Sequence, residues 1–470
     1  MPINSFLYPA PSTPTFGYNV ANSCRFNSGS TDYLSRSLGA SETSTRKATW
    51  SFWVKRGASG SHNIYFNEVE NDNNRGYIQF NSDQLRMVDE AGTGTNLKAA
   101  PVFRDFSSFY NIVIAVDTTQ STSTNRVKWY INGTQISIDV TTAFPAQNTD
   151  MHILTGGQTN KNYLGRGYPS GSPFAGYFAE FVFIDGLQLD ATSFGEFDSD
   201  SPTIWKPIDV SGLTFGNNGF YLDFEDSSAL GNDVSGNNND FTANNLTSID
   251  QSIDTCTNNF AVMNLLDNYY AGSTFSEGNL KIATVSGNAA YNPATFGLTQ
   301  GKWYFEVKPT SCGDAQERNI IGISNQSPVA AGYDGSIVIG DGFGLRGNGK
   351  MWDGSTETSG WNSFDAGDIV SVAIDFDNGK FYTATNGTYG NSSNPSTGSN
   401  GYSFTVGTKP WFPGVNCRET SQTATFELDF GSAPYAISSG NADANGYGNF
   451  EYAVPSGFYS INSKNLAEFG

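Results

Sequence analysis

Trp50-Ser51-Phe52-Trp53-Val54-Lys55 and Trp303-Tyr304-Phe305-Glu306-Val307-Lys308 are the two stretches on which the fold turns. Trp50, Phe52 and Val54 fall on one side of an extended chain while Ser51, Trp53 and Lys55 fall on the other, the period of a half-buried strand. The W-x-F-x-V-K pattern recurs at an offset of 303 − 50 = 253. Two further pieces recur with it: Val372-Ala373-Ile374-Asp375 follows Ala115-Val116-Asp117 at 375 − 117 = 258, and Asn386-Gly387-Thr388 follows Asn132-Gly133-Thr134 at 386 − 132 = 254. Ordered matches at nearly one offset predict two related β units. Each Asn-Gly sits where a tight hairpin turn belongs, after Lys128-Trp129-Tyr130 and Lys380-Phe381-Tyr382.

Composition agrees with strands. Aromatics make up 14% of the 470 residues and charged residues only 15%, with 52 glycines, so helix-favouring Glu, Lys and Arg are scarce and turns are frequent. The net charge of −20 disfavours nucleic acid and anionic membrane surfaces as partners. No stretch approaches the ~20 apolar residues that span a bilayer. MPINSFLYPAPSTPTFGYNV at the N-terminus has neither a basic nor an apolar signal region, which predicts a product made in a cytoplasm without membrane insertion. Cys24, Cys256, Cys312 and Cys417 lie far apart without a C-x-x-C pair and read as free, partly buried thiols.

Along the chain the expected order is a Pro-rich arm at 1–21, a first sandwich at 22–199, a bridging segment with a strand and a polar loop at 200–267, and a second sandwich at 268–470. The arm carries Pro2, Pro9, Pro11 and Pro14 and stays extended; its Phe6, Leu7, Tyr8, Phe16 and Tyr18 suit docking onto a partner or onto the protein's own body.

The first unit resembles the laminin-G and pentraxin-like branch of the concanavalin-A-like jelly rolls, through Thr49 to Lys55, Tyr110 to Asp117, Val127 to Gly133 and Phe174 to Ile184. The second resembles a SPRY domain, through Gly301 to Val307, Ile321-Gly322-Ile323, Gly367 to Asp375, Phe381 to Gly387, Trp411-Phe412-Pro413 and Phe426 to Gly431. The fold expected is therefore all-β: two concanavalin-A-like jelly-roll sandwiches in tandem with an extended N-terminal arm. The tandem, with the bridge from Phe194 through Asp233-Val234-Ser235-Gly236-Asn237 to Phe260, is also similar to virion-associated proteins of marine bacteriophages. That resemblance implies a non-enzymatic virion surface protein, such as a tail fibre, that binds host-surface glycan or protein and attaches to other virion proteins through its arm. A homo-oligomer, taken as a trimer, goes with such a role. An architectural capsid or tail protein without ligand affinity is the alternative, and a polysaccharide depolymerase the lesser one.

Candidate sites follow from chemistry. Two tryptophans among polar residues, Trp352-Asp353 and Trp361-Asn362, offer the stacking faces and hydrogen-bonding groups of a glycan site; packing of a long loop is the competing reading. Asp233, Asn237 and Asp240 share a short polar loop and supply hard oxygens for calcium, against the simpler reading of a solvated loop. Related jelly-roll glycosidases use Glu-x-Asp-x-x-Glu, which is absent. Its lookalikes, Glu68-x-Glu70-x-Asp72 and Glu196-x-Asp198-x-Asp200, read as loops. His62 and His152 stand in no nucleophile motif and are expected at the surface, while Gly340-Asp341-Gly342-Phe343-Gly344 lacks a phosphate-binding lysine.

Overall fold

The computed structural model describes residues 17–38, 41–68, 75–90, 94–140, 143–155, 161–167, 171–268, 272–284, 291–312, 318–325, 342–417 and 423–470. The arm up to residue 16, Glu70, Asp72, Gly340 and Asp341 lie outside the described residues, as does the side chain of Cys417. The chain is all-β: among the described residues there is one α-helix, Ser463–Phe469, and the strands form two pairs of large sheets.

The two echoed strands are the centres of two equivalent sheets. Lys47–Arg56 lies between Tyr110–Asp117 and Gly176–Asp185, and the sheet continues from Tyr110–Asp117 through Val127–Ile131 to Thr134–Ile136. Lys302–Ser311 lies between Val370–Asp375 and Thr425–Asp429, continuing through Lys380–Thr385 to Thr388–Tyr389. An ion pair closes the same end of both, Lys47 with Asp117 at 3.5 Å and Lys302 with Asp375 at 2.9 Å. Both hairpins turn with positive φ at Asn and Gly, 46° and 76° at Asn132 and Gly133 and 48° and 76° at Asn386 and Gly387, as the tightest right-twisting turn demands. Each Asn also grips the neighbouring strand: Asn132 Oδ1 accepts from Asn111 N and Asn386 Oδ1 from Ile369 N, at 2.8 and 3.0 Å.

Each central sheet packs its inner face on a second sheet. In the first sandwich that partner holds eight strands, running from Ile138–Val140 through Thr95–Val102, Gln84–Asp89, Arg75–Asn81, His62–Glu68 and Lys161–Leu164 to Tyr33–Ser37 and Thr242–Asn244. Trp50, Phe52 and Val54 enter this core with Tyr65, Ile78, Met87 and Leu97. Phe52 stacks on Phe181 at 4.8 Å, and Trp50 meets Tyr65 edge-on at 5.6 Å. Segment 200–267 is not a free span. Phe220–Leu222, Thr242–Asn244 and Gln251–Ser252 extend the sheets of the first sandwich.

The strand expected to be half-buried is buried on both faces, because segments 17–22, 189–215 and 254–260 lie across its outer side. Trp53 joins Val20, Tyr177, Val182, Trp205 and Phe215 in a second apolar layer, and Lys55 is buried. The two sandwiches meet over polar contacts of the same kind. Arg25 reaches Ala433 O at 3.2 Å and Glu277 at 3.5 Å, the Tyr177 hydroxyl donates to Gly278 O, and Ser252 and Ser432 share a hydrogen bond of 2.7 Å.

Candidate functional site

In the eight-stranded sheet of the first sandwich, alternate residues face the core and the rest face outward. The register aligns the outward residues into rows. Thr242, Ser35, Tyr163, Phe66, Tyr77, Val88 and Asn96 are each opposite the next, so seven strands contribute one residue apiece to a line across the sheet. Tyr33 adds a fourth ring beside it, and the rings follow one another at 6.1, 6.3 and 6.0 Å. Phe66 and Tyr77 are parallel within 10°.

Charged and amide groups flank this line on both sides. One flank is Ser37, Lys161, Glu68, Arg75 and Glu90; the other is Gln79, Arg86, Lys98 and Asp139. These groups hold the tyrosines in place. Tyr163 donates to Glu68 Oε2 at 3.1 Å and Tyr77 to Glu90 Oε1 at 3.3 Å, while Arg75 grips the same Glu90 at 2.6 Å. The Arg166 guanidinium lies over Tyr33 at 4.1 Å and near Tyr163 at 5.7 Å. Burial pushes the Tyr77 phenol further above its ordinary value. Tyr33, Tyr77 and Arg166 are half-buried, while Phe66 and Tyr163 are 4% and 6% exposed. An aromatic strip bordered by hydroxyls, amides and charges of both signs is chemically equipped for a flat polyhydroxylated ligand.

The residues expected from sequence are placed elsewhere. Trp352 lies on the short strand Met351–Trp352 with one indole face covered by the Arg346 guanidinium at 3.9 Å. Burial works to raise the pKa of Asp353 beside it, but the carboxylate accepts from Ser355 N and Thr356 N, which closes the turn and brings the pKa below its ordinary value. Trp361 is 7% exposed and belongs to the core of the second sandwich, and Asn362 pins Thr388 O at 2.7 Å. Thus Trp352 and Asp353 reach the surface region while Trp361 and Asn362 serve packing.

The oxygens of Asp233 are taken by protein donors: Tyr221 N and Ser235 N on Oδ1, Ser235 Oγ and Asn239 N on Oδ2. Asp240 accepts from Asp233 N, and Asn237 donates to Gly216 O and Gly219 O. The polar loop is therefore knitted by its own amides. Among the described residues, no group of three or more His, Cys, Asp or Glu is arranged to hold a metal ion.

Glu196, expected in a loop, lies instead within the strand Gly195–Phe197, paired with Lys206 of Trp205–Pro207, and Asp198 follows it; the two face Lys206 Nζ at 3.3 and 3.5 Å, while Asp198 also accepts from Asp200 N. Glu68 stands on the aromatic face already described. The histidines are half-buried rather than at the surface: His62 is on the strand His62–Glu68, and burial, with Arg56 nearby, lowers its pKa to about 4; His152 Nδ1 is 3.8 Å from Asp89. Cys24 and Cys256 carry free thiols, the first fully buried.

Sequence reasoning missed the aromatic face, although its signal is present. Tyr33, Phe66, Tyr77 and Tyr163 each have a polar residue two positions away on the outward side (Ser35, Glu68, Gln79 and Lys161). A strand whose two faces are both rich in rings has a second use for its outer face.

Among described residues no helix is long and apolar enough to cross a membrane. No sequence among curated proteins matches the chain. Several solved structures are similar in fold. The SPRY domain of human HERC1 is 17% identical, covering 32% of this chain and 87% of that one, with a TM-score of 0.26. A native heptameric SAP-like pentraxin from Limulus polyphemus is 12% identical over 37% of this chain and 80% of that one, at 0.29. Domains LG4-5 of the mouse laminin alpha1 chain are 12% identical over 97% of this chain and 100% of that one, at 0.31. Residues 28–188, which hold most of the first sandwich and its aromatic face, match the model of the concanavalin A-like lectin/glucanases superfamily.

Proposed function

We propose that the chain is a non-enzymatic carbohydrate-binding protein on the surface of a bacteriophage particle, with the outer face of the first sandwich contacting a host-envelope glycan. The observation that carries the binding half is the row of Tyr163, Phe66 and Tyr77 with Tyr33 beside it, bordered by Arg166, Glu68, Arg75 and Glu90. Rings stack on the apolar faces of pyranoses, and the flanking groups bond their hydroxyls. The particle half rests on the tandem order and bridge that resemble virion proteins. In this reading the chain divides at about 21, 199 and 267, the arm binds neighbouring virion proteins, and copies assemble as a homo-oligomer, taken as a trimer.

The test is retention of the purified chain by host-envelope polysaccharide, alongside Y77A and R166A. Retention that both substitutions weaken supports the reading; a chain that binds no host glycan overturns it. Release of new reducing ends would move the assignment to a depolymerase. Immunogold labelling of particles with antibody to residues 268–470 tests the virion half, and unlabelled particles would sink it. A second reading, an architectural virion protein without ligand affinity, is favoured by one observation: Phe66 and Tyr163 are 4% and 6% exposed and already packed against their neighbours.

A further inference from the structure

Lys55 is a buried lysine whose amine lies against both a carboxylate and a carboxamide. Nζ is 2.8 Å from Asp254 Oδ2, 2.8 Å from Asn259 Oδ1 and 3.0 Å from Phe260 O. The lysine side chain is 1% exposed and that of Asp254 2%. Rings of Tyr177 and Phe109 stand 5.7 and 5.8 Å from Nζ. We propose that Lys55 and Asn259 become joined by an intramolecular isopeptide bond, formed by the folded chain itself, with Asp254 moving the protons.

The parts needed for this acyl transfer are a neutral amine, an activated amide, a proton carrier touching the amine, and exclusion of bulk water. Burial lowers the affinity of Lys55 for its proton and raises that of Asp254, so both groups are biased toward the neutral amine and the carboxylic acid. Asp254 is fixed for the role, because its other oxygen accepts from Phe260 N at 3.0 Å and its carbonyl accepts from Ser23 Oγ at 2.7 Å. Asn259 is fixed as well. Its Nδ2 donates to Ser107 O at 2.7 Å, which turns the carbonyl end toward the amine.

The steps balance. The Lys55 ammonium gives a proton to the Asp254 carboxylate, and the freed lone pair replaces the N–H that pointed at the amide. Nζ attacks Cγ of Asn259, forming the C–N bond, while the Asp254 proton passes to Oδ1. As the carbonyl re-forms, the Cγ–Nδ2 bond breaks and Nδ2 takes up the protons lost from Nζ and Oδ1. The products are a secondary amide, the Asp254 carboxylate and one ammonium ion, with no oxidation or reduction. Ser107, which holds the leaving nitrogen, lines a cavity of about 130 Å³ with Asp105, Asn264 and Thr295. Asn259 itself is partly exposed, so ammonia has a way out.

The bond would tie the central strand of the first sandwich to the segment that enters the second, across 204 residues of sequence. The test uses the purified full chain. Its mass under denaturing conditions is expected to be short by one ammonia, and a proteolytic digest should yield a branched peptide joining Lys55 to Asn259. K55M and N259A should each show the full mass, as should D254A, which leaves both reacting residues in place. Wild-type protein of full mass, with Lys55 and Asn259 recovered in separate linear peptides, overturns the proposal whether or not any variant folds. Loss of water instead of ammonia also overturns it, since that would place the bond on Asp254.

Discussion

Glu180 to Gln should stabilise the protein at pH 8 and do little at pH 4. Glu180 sits in a β-bulge of the strand Gly176–Asp185, at φ 47°, a conformation that places an extra residue on the outer face of the sheet. There it is 7% exposed, beneath the end of the N-terminal arm. Tyr221 donates to Oε2 at 2.6 Å and Tyr18 at 3.3 Å, and the two hydroxyls are 3.0 Å apart. Burial outweighs these hydrogen bonds, and the Asp223 and Glu225 carboxylates add repulsion, so the Glu180 pKa rises from 4.5 to about 7. Between those values the folded state holds a proton that the unfolded chain has released. Stability therefore falls as pH rises from 4.5 to 7 and levels off outside that window. At 1.36 kcal/mol per unit, the loss amounts to about 3 kcal/mol. Glutamine keeps an acceptor for the tyrosines without a charge. Urea unfolding of both proteins at pH 4, 6 and 8 measures the difference. A gap between E180Q and wild type that stays constant over this range, or widens as pH falls, would refute the reasoning.

Three further outcomes follow from the geometry. G133A should lower stability by about 2 kcal/mol or more, because a Cβ there would stand 2.2 Å from the Trp205 ring at φ 76°, and G387A should do likewise against Tyr452; thermal denaturation reads both. Replacing Tyr33 or Tyr77 by alanine should weaken glycan retention about 3- to 10-fold each while leaving the far-ultraviolet circular dichroism unchanged, as expected for loss of one stacking ring. R25M should cost about 3–5 kcal/mol, since it strands Asp250 and Glu277 beside an apolar side chain at the seam between the sandwiches; calorimetry should show a single transition splitting into two.

What the sequence disclosed and what it hid divide along one physical line. The duplicated sheet was legible because its signals are local: alternation in Trp50 to Lys55 and Trp303 to Lys308, and an Asn-Gly pair whose backbone preference is set by two residues. Lys55 was misread by the same rule. Alternation assigns it to the outer face correctly, but whether that face meets water depends on Asp254 to Phe260, about 200 residues away. The two tryptophans of the second sandwich show the opposite limit. Trp352 and Trp361 look alike in sequence, each a ring among polar residues, yet one lies under Arg346 on the last strand but one of its sheet and the other inside the core. Composition cannot separate them, because a loop that returns its aromatic to the core and one that offers it outward use the same residues.

The aromatic face carries the argument one step further. Seven strands each supply one outward residue to its central row, and no strand's contribution stands out alone; Phe66 is simply a strand phenylalanine until Tyr163 and Tyr77 arrive opposite it. Register is what creates the site, and register here is fixed by the inward residues, since a slip by one would drive Tyr65, Ile78 and Met87 out of the core. The core that makes the first sandwich stable is thus the same constraint that lines up its binding row. Substitution of the half-buried Tyr77 should therefore change ligand retention without moving the fold, whereas a core substitution in Tyr65 or Ile78 should disturb both together.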